Sequence, residues 1–323
     1  MNITILGTGA FGLALSSMFL ENGCNIKMWT KFEDEKQMLE EERCNKKVLP
    51  DYIVSDKIVF STNLENAVKD AHVIVIAIPV KFVTTTIIEL KKYYKQSQHI
   101  CIASKGIEQD NFFFISNIIK KHIYTNKICV ISGGTFAVDM VKKVPIGLSL
   151  ASKNKSTINI MKKTLQNDYL KLIPTSDILG VEMCGAIKNV IAIASGIIDG
   201  IGFPESTKCM FITKSMNEIM SLIYNMGGNK KTILAYAGIG DLLLTCNSIK
   251  SRNYTFGRLI GERTDKKIID DYKNSITIEG LYTLKSIYDL INYRKIKVPI
   301  IDIMYNIIYN NKDISLLEDY LKK

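Results

Sequence analysis

Short runs of apolar, mostly β-branched residues alternate with helix-like segments along the first half of the chain. Near-continuous apolar strands separated by helices are typical of a parallel sheet covered on both faces. We therefore predict an α/β fold with a doubly wound, mainly parallel sheet. The predicted strands are Ile3–Leu6, Ile26–Trp29, Val73–Ile78, Ile100–Ala103, Ile128–Ile131, Ile146–Ala151 and Tyr169–Ile173, and the helices include Phe11–Glu21, Phe112–His122 and Met161–Gln166.

The pattern changes after about Asp177, where the strand-like runs stop and helical periodicity takes over. Gly227-Gly228 and Pro299 interrupt this second half. We predict two domains, residues 1–177 with the sheet and residues 178–323 made only of helices. The predicted helices are Ile178–Ile198, Thr207–Met226, Ile233–Leu244, Tyr254–Gly261, Thr277–Leu290 and Ile300–Asn310.

Composition narrows the class of protein. Of the 323 residues, 47% are hydrophobic and 23% charged, which is ordinary for a globular protein. The net charge of +10 comes from lysines spread along the chain in pairs, which favours a solvated surface over a nucleic-acid interface and is compatible with anionic substrates. The seven cysteines are residues 24, 44, 101, 129, 184, 209 and 246, and no two of them have CxxC spacing. We therefore predict buried, reduced thiols and no metal site.

Nothing in the sequence suggests a membrane or export signal. The longest apolar runs, Val73–Val80 and Val190–Ile198, are shorter than a membrane-spanning helix requires. Met1-Asn2 leads directly into the first strand, without a basic segment or a cleavage site. We therefore expect a cytoplasmic protein without a membrane span.

A glycine-rich turn, Gly7-Thr8-Gly9-Ala10-Phe11-Gly12, follows the first strand and opens the first helix. In such a turn Gly7 permits the tight bend, Gly9 lets the backbone approach a pyrophosphate, and Gly12 allows close helix–strand packing. The helix N-terminus then offers N–H groups and a favourable dipole to the anion. This context predicts a Rossmann-like dinucleotide-binding domain.

The end of the second strand leaves the choice of dinucleotide open. NAD-binding folds often place an acidic residue there for the ribose 2′-hydroxyl. This chain has Thr30, Lys31 and Phe32 before its first carboxylates, Glu33 and Asp34. Lys31 could bind a 2′-phosphate, which favours NADP modestly, and the alternative is NAD with Glu33 or Asp34 on the ribose.

Ligands of such sheets bind beyond the carboxyl ends of the strands, where Lys81, Lys105 and Ser132–Thr135 lie. The three histidines, at positions 72, 99 and 122, fall at or before the amino ends of predicted strands. A histidine acid/base is therefore not expected. Lysine is the available alternative, because burial or a neighbouring cation lowers its pKa toward neutrality.

Three motifs in the helical half carry a family resemblance: Glu182-Met-Cys-Gly-Ala-Ile-Lys-Asn-Val, Gly238-Ile-Gly-Asp-Leu-Leu-Leu-Thr-Cys and Ser251-Arg-Asn. Lys105–Glu108, Ser132–Ala137 and Ile278–Gly280 match further motifs in the same order. Over nearly the whole chain the sequence closely resembles the NAD(P)-dependent glycerol-3-phosphate dehydrogenases, and most of all their bacterial-type soluble form. The resemblance implies reversible oxidation of glycerol 3-phosphate to dihydroxyacetone phosphate, a role in phospholipid supply and a homodimer.

The resemblance also implies a role for each matching residue. Lys188 would be the proton acceptor and donor, with Lys105 and Asp241 as further catalytic residues and the charge of Lys105 lowering the pKa of Lys188. The implied substrate-binding set is Lys105, Gly133, Thr135, Lys188, Asn189, Asp241, Thr245, Ser251, Arg252 and Asn253. The cofactor-binding set, including the glycine turn and Lys31, is Gly7, Gly9, Ala10, Phe11, Gly12, Lys31, Lys105, Ala137, Arg252 and Glu279.

The sequence departs from the family pattern in two places. Gly134 replaces the usual proline of a Ser-Gly-Pro motif, and Ala10-Phe11 replaces Ser-Trp. Four residues have simpler alternative roles. Lys188 could extend to the surface from an apolar helix, and Arg252 could be an ordinary surface arginine. Asp241 could be a helix N-cap and Glu279 a solvated carboxylate at a helix start. The competing functions are a Rossmann reductase of a non-phosphorylated hydroxy or keto acid, and a nucleotide-sensing or nucleic-acid-binding module.

Overall fold

A computed structural model of the chain describes residues 1–109 and 112–322. The chain forms two compact units. The first comprises Met1–Lys105 with Ile115–Ile178, and the second comprises Gly106–Phe114 with Leu179–Lys323. The segment from Gly106 to Phe114 therefore packs with the second unit, although it lies within the first half of the sequence.

The first unit is built on an eight-stranded sheet in the order β3-β2-β1-β4-β5-β6-β7-β8. All neighbouring strands are parallel except β6 and β7, which are antiparallel. The predicted fold class is thus confirmed. The strands are β1 (Asn2–Leu6), β2 (Asn25–Trp29), β3 (Val59–Ser61), β4 (Val73–Ile76), β5 (His99–Ile102), β6 (Ile128–Ser132), β7 (Ile146–Ala151) and β8 (Leu170–Thr175).

Seven α-helices and a 3₁₀ helix at Val80–Phe82 belong to this unit, among its described residues. One face of the sheet packs its alternate residues, such as Cys129 and Ile131, into a core that also buries Met18 and Phe19 of the first helix. The near-continuous apolar strands are explained by burial on both faces. The helices are α1 (Ala10–Glu21), α2 (Glu33–Glu41), α3 (Leu64–Val68), α4 (Val83–Leu90), α5 (Ile115–His122), α6 (Ala137–Val141) and α7 (Lys155–Leu165).

In the described chain from Ile178 onward, the second unit is helical throughout. Its α-helices are α8 (Ile178–Ile201), α9 (Glu205–Asn225), α10 (Asp241–Cys246), α11 (Arg252–Gly261), α12 (Lys266–Ser275), α13 (Glu279–Arg294), α14 (Pro299–Tyr309) and α15 (Ser315–Lys322). Helix α12 and helix α15 were not predicted. Helix α12 buries none of its residues, and its sequence, KKIIDDYKNS, is mostly charged and polar.

The prediction of one helix over Ile233–Leu244 is wrong. The chain forms a 3₁₀ helix at Lys230–Leu234, a π-helix at Tyr236–Gly240 and only then α10. A Cβ on Gly238 would lie 2.1 Å from the carbonyl oxygen of Ile233. The helix is interrupted at Ala235, whose backbone is extended, and the close approach of Gly238 to Ile233 is possible only because Gly238 has no side chain.

Helix α8 is long and apolar enough to cross a membrane by length and composition, with a mean hydropathy of 1.6 in its best window. However, 94% of that window is buried inside the protein, as in the core helix of a globular fold. Six of the seven cysteines are buried. Cys209 on α9 is exposed, which corrects the prediction that all the thiols are buried.

Helices α8 and α11 pack backbone against backbone. A Cβ on Gly257 of α11 would lie 1.9 Å from the Ile193 carbonyl oxygen, and one on Gly196 of α8 would lie 2.1 Å from that of Tyr254. Glycines at the crossing therefore let the two helices approach closely. This approach brings the start of α11, at Arg252 and Asn253, next to the middle of α8.

Candidate active site

The glycine turn of the first unit has the geometry of a pyrophosphate cradle. Gly7 adopts a φ of +116°, and a Cβ on Gly12 would lie 2.4 Å from the carbonyl oxygen of Gly7. A Cβ on Gly9 would meet no atom within 4 Å, so the backbone there faces open space. Helix α1 begins at Ala10 with no side-chain cap and no acidic residue in its first turn. These residues fit a bound dinucleotide, because uncapped N–H groups at a helix N-terminus bind anions.

Residues at the end of β2 lie beside this turn. The N–H of Gly7 donates to the carbonyl oxygen of Trp29 at 2.8 Å, and Thr30 follows directly. Lys31 is exposed. Glu33, one of the two carboxylates considered for the ribose, accepts hydrogen bonds from Lys36 at 2.8 Å and Thr62 at 2.7 Å. These bonds lower the pKa of Glu33, so the carboxylate is charged and already engaged.

The remaining candidates of the first unit follow β5 and β6. Lys105 is half-buried three residues beyond the end of β5. Gly133 follows β6, and a Cβ there would lie 2.6 Å from the Gly147 carbonyl oxygen of β7. Gly133 is thus needed for strand packing, whatever else it contacts. The N–H of Thr135 donates to the carbonyl oxygen of Gly133 at 3.1 Å, and Ala137 begins α6.

The predicted placement of the histidines is confirmed. His72 directly precedes β4, His99 is the first residue of β5, and His122 ends the helix before β6. Burial lowers the pKa of His99, whose Nδ1 is 2.9 Å from the Thr157 hydroxyl. His99 therefore has a structural role at the amino end of its strand.

In the second unit, a buried lysine–aspartate pair forms the chemical centre. The Lys188 ammonium on α8 donates a hydrogen bond to Oδ1 of Asp241 and another, of 3.0 Å, to the Thr245 hydroxyl. The side chain of Lys188 is 12% exposed and that of Asp241 is 1% exposed. Lys188, Asp241 and Thr245 are brought together as the resemblance implied, although Asp241 is 53 residues and Thr245 57 residues after Lys188 in the sequence.

The π-helix and α10 explain how Asp241 and Thr245 reach Lys188 together. Asp241 is the first residue of α10 and its N-cap is Gly240, so the alternative role of Asp241 as an N-cap is wrong. Thr245 lies one turn later on the same face of the helix. Its hydroxyl donates to the Asp241 carbonyl oxygen at 2.6 Å, which leaves the hydroxyl oxygen to accept from Lys188.

A second group of predicted residues forms an amide network beside this pair. Asn253 donates to Oδ1 of Asn189 at 3.0 Å, and its own Oδ1 accepts from the Gly280 N–H at 2.9 Å. Asn189 in turn donates to Oε2 of Glu279 at 3.4 Å. The network joins α8, α11 and the first turn of α13. Glu279 is therefore bonded to Asn189 and is more than a solvated carboxylate.

The start of α11 carries the two remaining candidates. Ser251 is the N-cap, and its hydroxyl accepts from the Tyr254 N–H at 3.3 Å. Arg252 is the first residue of the helix and is exposed. The guanidinium and the helix N-terminus thus present positive charge together.

One residue of this region, Ser195, was given no role by the sequence analysis. Cys246 ends α10, and the Ser195 hydroxyl of α8 donates to its carbonyl oxygen at 2.8 Å. Burial raises the pKa of the Cys246 thiol, so the thiol is neutral and is no nucleophile. The hydrogen bond from Ser195 fixes α10 against α8 at the residue directly after Thr245.

A nicotinamide dinucleotide cradle and a buried lysine able to exchange a proton are the two requirements of a dehydrogenase that acts on an alcohol or ketone. The fold and the two sites define that class. Family models resolve it further: the N-terminal model of NAD-dependent glycerol-3-phosphate dehydrogenase matches residues 2–158 and the C-terminal model matches residues 177–318. The chain belongs to the NAD-dependent glycerol-3-phosphate dehydrogenase family.

Individual relatives agree with this assignment. A glycerol-3-phosphate dehydrogenase (NAD(P)+) of Leptospira biflexa is 35% identical over 316 residues, covering 97% of this chain and 95% of the relative. One of Staphylococcus haemolyticus is 32% identical over 318 residues, with the same two coverages. The crystal structure of glycerol-3-phosphate dehydrogenase from Coxiella burnetii superposes with a TM-score of 0.95 at 27% identity, covering 100% of this chain and 99% of that one.

Proposed function

We propose that this chain interconverts sn-glycerol 3-phosphate and dihydroxyacetone phosphate, using NAD or NADP. The observation that carries the proposal is the buried Lys188–Asp241–Thr245 cluster, which lies in a chain of this family that also has an open glycine turn. The product, glycerol 3-phosphate, supplies phospholipid synthesis. The chain is thus an oxidoreductase of central lipid metabolism.

Lys188 moves the proton of the reaction. In the direction of reduction, C2 of dihydroxyacetone phosphate receives a hydride while its carbonyl oxygen receives a proton from the Lys188 ammonium. In oxidation the Lys188 amine takes the hydroxyl proton back. The nicotinamide supplies or accepts the hydride when it is bound.

Asp241 and Thr245 hold Lys188 for this transfer. The Asp241 carboxylate favours the charged ammonium and fixes its position, and Thr245 accepts a second hydrogen bond from it. Because the lysine stem is flexible, two fixed acceptors reduce the number of positions that the ammonium can occupy. This support orients Nζ toward the reacting oxygen.

The substrate phosphate is bound at the start of α11. The Arg252 guanidinium can bind two phosphate oxygens, and the helix N-terminus adds a favourable dipole. Three further residues lie next to this phosphate site, namely Asn189, Ser251 and Asn253. The hydrogen bonds described above hold them in position. For Lys105, Gly133 and Thr135, substrate contacts are assigned on the family resemblance.

The two halves of the chain have different binding roles in this proposal. Residues 1–177 bind the dinucleotide mainly through Gly7, Gly9, Ala10, Phe11 and Gly12, and residues 178–323 supply most of the substrate-binding residues. Lys105, Ala137, Arg252 and Glu279 are further cofactor contacts by the resemblance, and Lys31 is a candidate contact by its position just after the end of β2. The chain works as a cytoplasmic homodimer. Light scattering coupled to gel filtration measures its mass in solution. A monomer mass at the assay concentration would contradict the dimer.

The test is a steady-state assay that follows the absorbance of the reduced nicotinamide. Purified protein is mixed with dihydroxyacetone phosphate and NADH or NADPH, and dihydroxyacetone without phosphate is the matched control. We expect turnover with the phosphorylated substrate and almost none with the control. No substrate-dependent loss of absorbance with either cofactor would overturn the proposal, and equal rates with both ketones would overturn the phosphate site.

A further inference from the structure

Thr30 stands where sheets of this type place the acidic residue that binds the adenosine ribose. Leu6 of β1 pairs with Trp29 of β2, and Thr30 is the next residue, beside Gly7 at the start of the glycine turn. Thr30 is 4% exposed, so its side chain is fixed by the residues around it. The strand itself thus supplies a hydroxyl at this position and no charge.

A carboxylate reaches the same position from the next helix. The Thr30 hydroxyl donates to Oε2 of Glu35, in the first turn of α2, and the Asn45 amide donates to Oε1 at 3.4 Å. Both donors are neutral. Within residues 1–109 and 112–322, no lysine or arginine forms an ion pair with Glu35, and the neighbouring Lys36 pairs with Glu33 and Glu40 instead. The negative charge of Glu35 is therefore held at the end of β2 without a compensating cation.

We propose that Glu35, oriented by Thr30 and Asn45, is the residue that determines cofactor specificity, and that it selects NAD over NADP. A carboxylate at this position accepts a hydrogen bond from a ribose 2′-hydroxyl, whereas it repels a 2′-phosphate. The inference rests on the proposed dinucleotide site and deepens it. A preference for NAD is the opposite of the modest preference for NADP that Lys31 suggested in the sequence.

Lys31 and Glu35 differ in how firmly their charges are held. The Lys31 ammonium lies at the end of a flexible stem on an exposed residue, where water and salt screen its charge. Glu35 is half-buried and has a bond to each carboxylate oxygen. A fixed charge with less solvent around it discriminates more strongly between a hydroxyl and a phosphate.

Binding measurements separate these two influences without relying on turnover. The protein is titrated with NADH and with NADPH, and the nicotinamide fluorescence gives Kd for each. Glu35→Gln removes the charge and keeps an oxygen for Thr30. Glu33→Gln is the matched control, since it removes the same charge from the same helical turn at a residue already engaged by Lys36 and Thr62.

We expect wild-type protein to bind NADH at least about tenfold more tightly than NADPH, and Glu35→Gln to reduce that ratio severalfold while Glu33→Gln leaves it in place. Lys31→Ala is expected to retain the preference for NADH. A wild-type preference for NADPH, or an unchanged ratio in Glu35→Gln, would overturn the inference. Failure to bind either cofactor would overturn the proposed function itself, so the two failures are distinct.

Discussion

Asn253 on α11 donates a 3.0 Å hydrogen bond to Asn189 on α8, and both side chains are buried. The same Asn253 side chain accepts from the Gly280 N–H at the start of α13. One side chain therefore ties together the helix that carries Lys188, the helix that starts at Arg252 and the helix that starts at Glu279. The spacing of the proposed substrate-binding residues depends on these bonds.

Asn253→Ala is expected to lower the free energy of unfolding by about 2 kcal/mol or more, because it leaves buried polar groups on Asn189 and Gly280 without partners. Urea denaturation measures the change. Asn310→Ala is the control, since Asn310 makes a similar 3.0 Å bond to Asn306 on the exposed surface. Equal losses in the two variants would show that the buried network adds no stability.

Gly9→Ala and Gly12→Ala are expected to affect different properties, cofactor binding in the first case and fold stability in the second. A Cβ on Gly9 meets open space at a φ of −70°, so Gly9→Ala leaves the Tm nearly unchanged and weakens cofactor binding at least about tenfold. A Cβ on Gly12 meets the Gly7 carbonyl oxygen, so Gly12→Ala destabilises the fold by about 1–3 kcal/mol. Thermal denaturation and cofactor titration measure both quantities. A Gly9→Ala protein with wild-type Kd would argue against the cradle.

His99 makes stability depend on pH in a predictable direction. Burial lowers its pKa in the folded state, so between the folded and unfolded pKa values the unfolded chain binds more protons. Stability therefore falls as the pH drops below the unfolded value of about 6.5. We expect the Tm difference between pH 7.5 and pH 5.5 to be smaller in His99→Gln than in the wild type. The same difference in both proteins would exclude His99 as a cause.

The sequence predicted the sheet and most helices because buried strands and amphipathic helices have clear hydrophobic periods. Strand β3 was missed because it has only three residues, Val59–Ser61. The π-helix before Asp241 depends on a contact between Gly238 and Ile233, and hydrophobic periodicity does not record such a contact. In each case the missing information was a short or irregular backbone feature.

The glycine turn was predictable from its pattern, whereas the Lys188–Asp241–Thr245 cluster was predictable only through the resemblance. Periodicity places Lys188 on an apolar helix, but its contacts with Asp241 and Thr245 depend on helix packing. The residues at the end of β2 show the same limit. Thr30 and Glu35 are five positions apart and meet only because α2 starts where it does, so the sequence drew attention to Lys31 instead.

Lys188→Ala tests the central claim, that Lys188 exchanges the proton with the substrate oxygen. Loss of a general acid/base lowers the rate by about 10²–10⁴-fold. We therefore expect kcat for dihydroxyacetone phosphate reduction to fall by at least about 10²-fold. Kd for the cofactor, measured on the same preparation, should stay within about twofold of wild type, since the glycine turn lies in the other unit. Near-wild-type kcat in a variant with wild-type cofactor affinity would contradict the assigned role of Lys188.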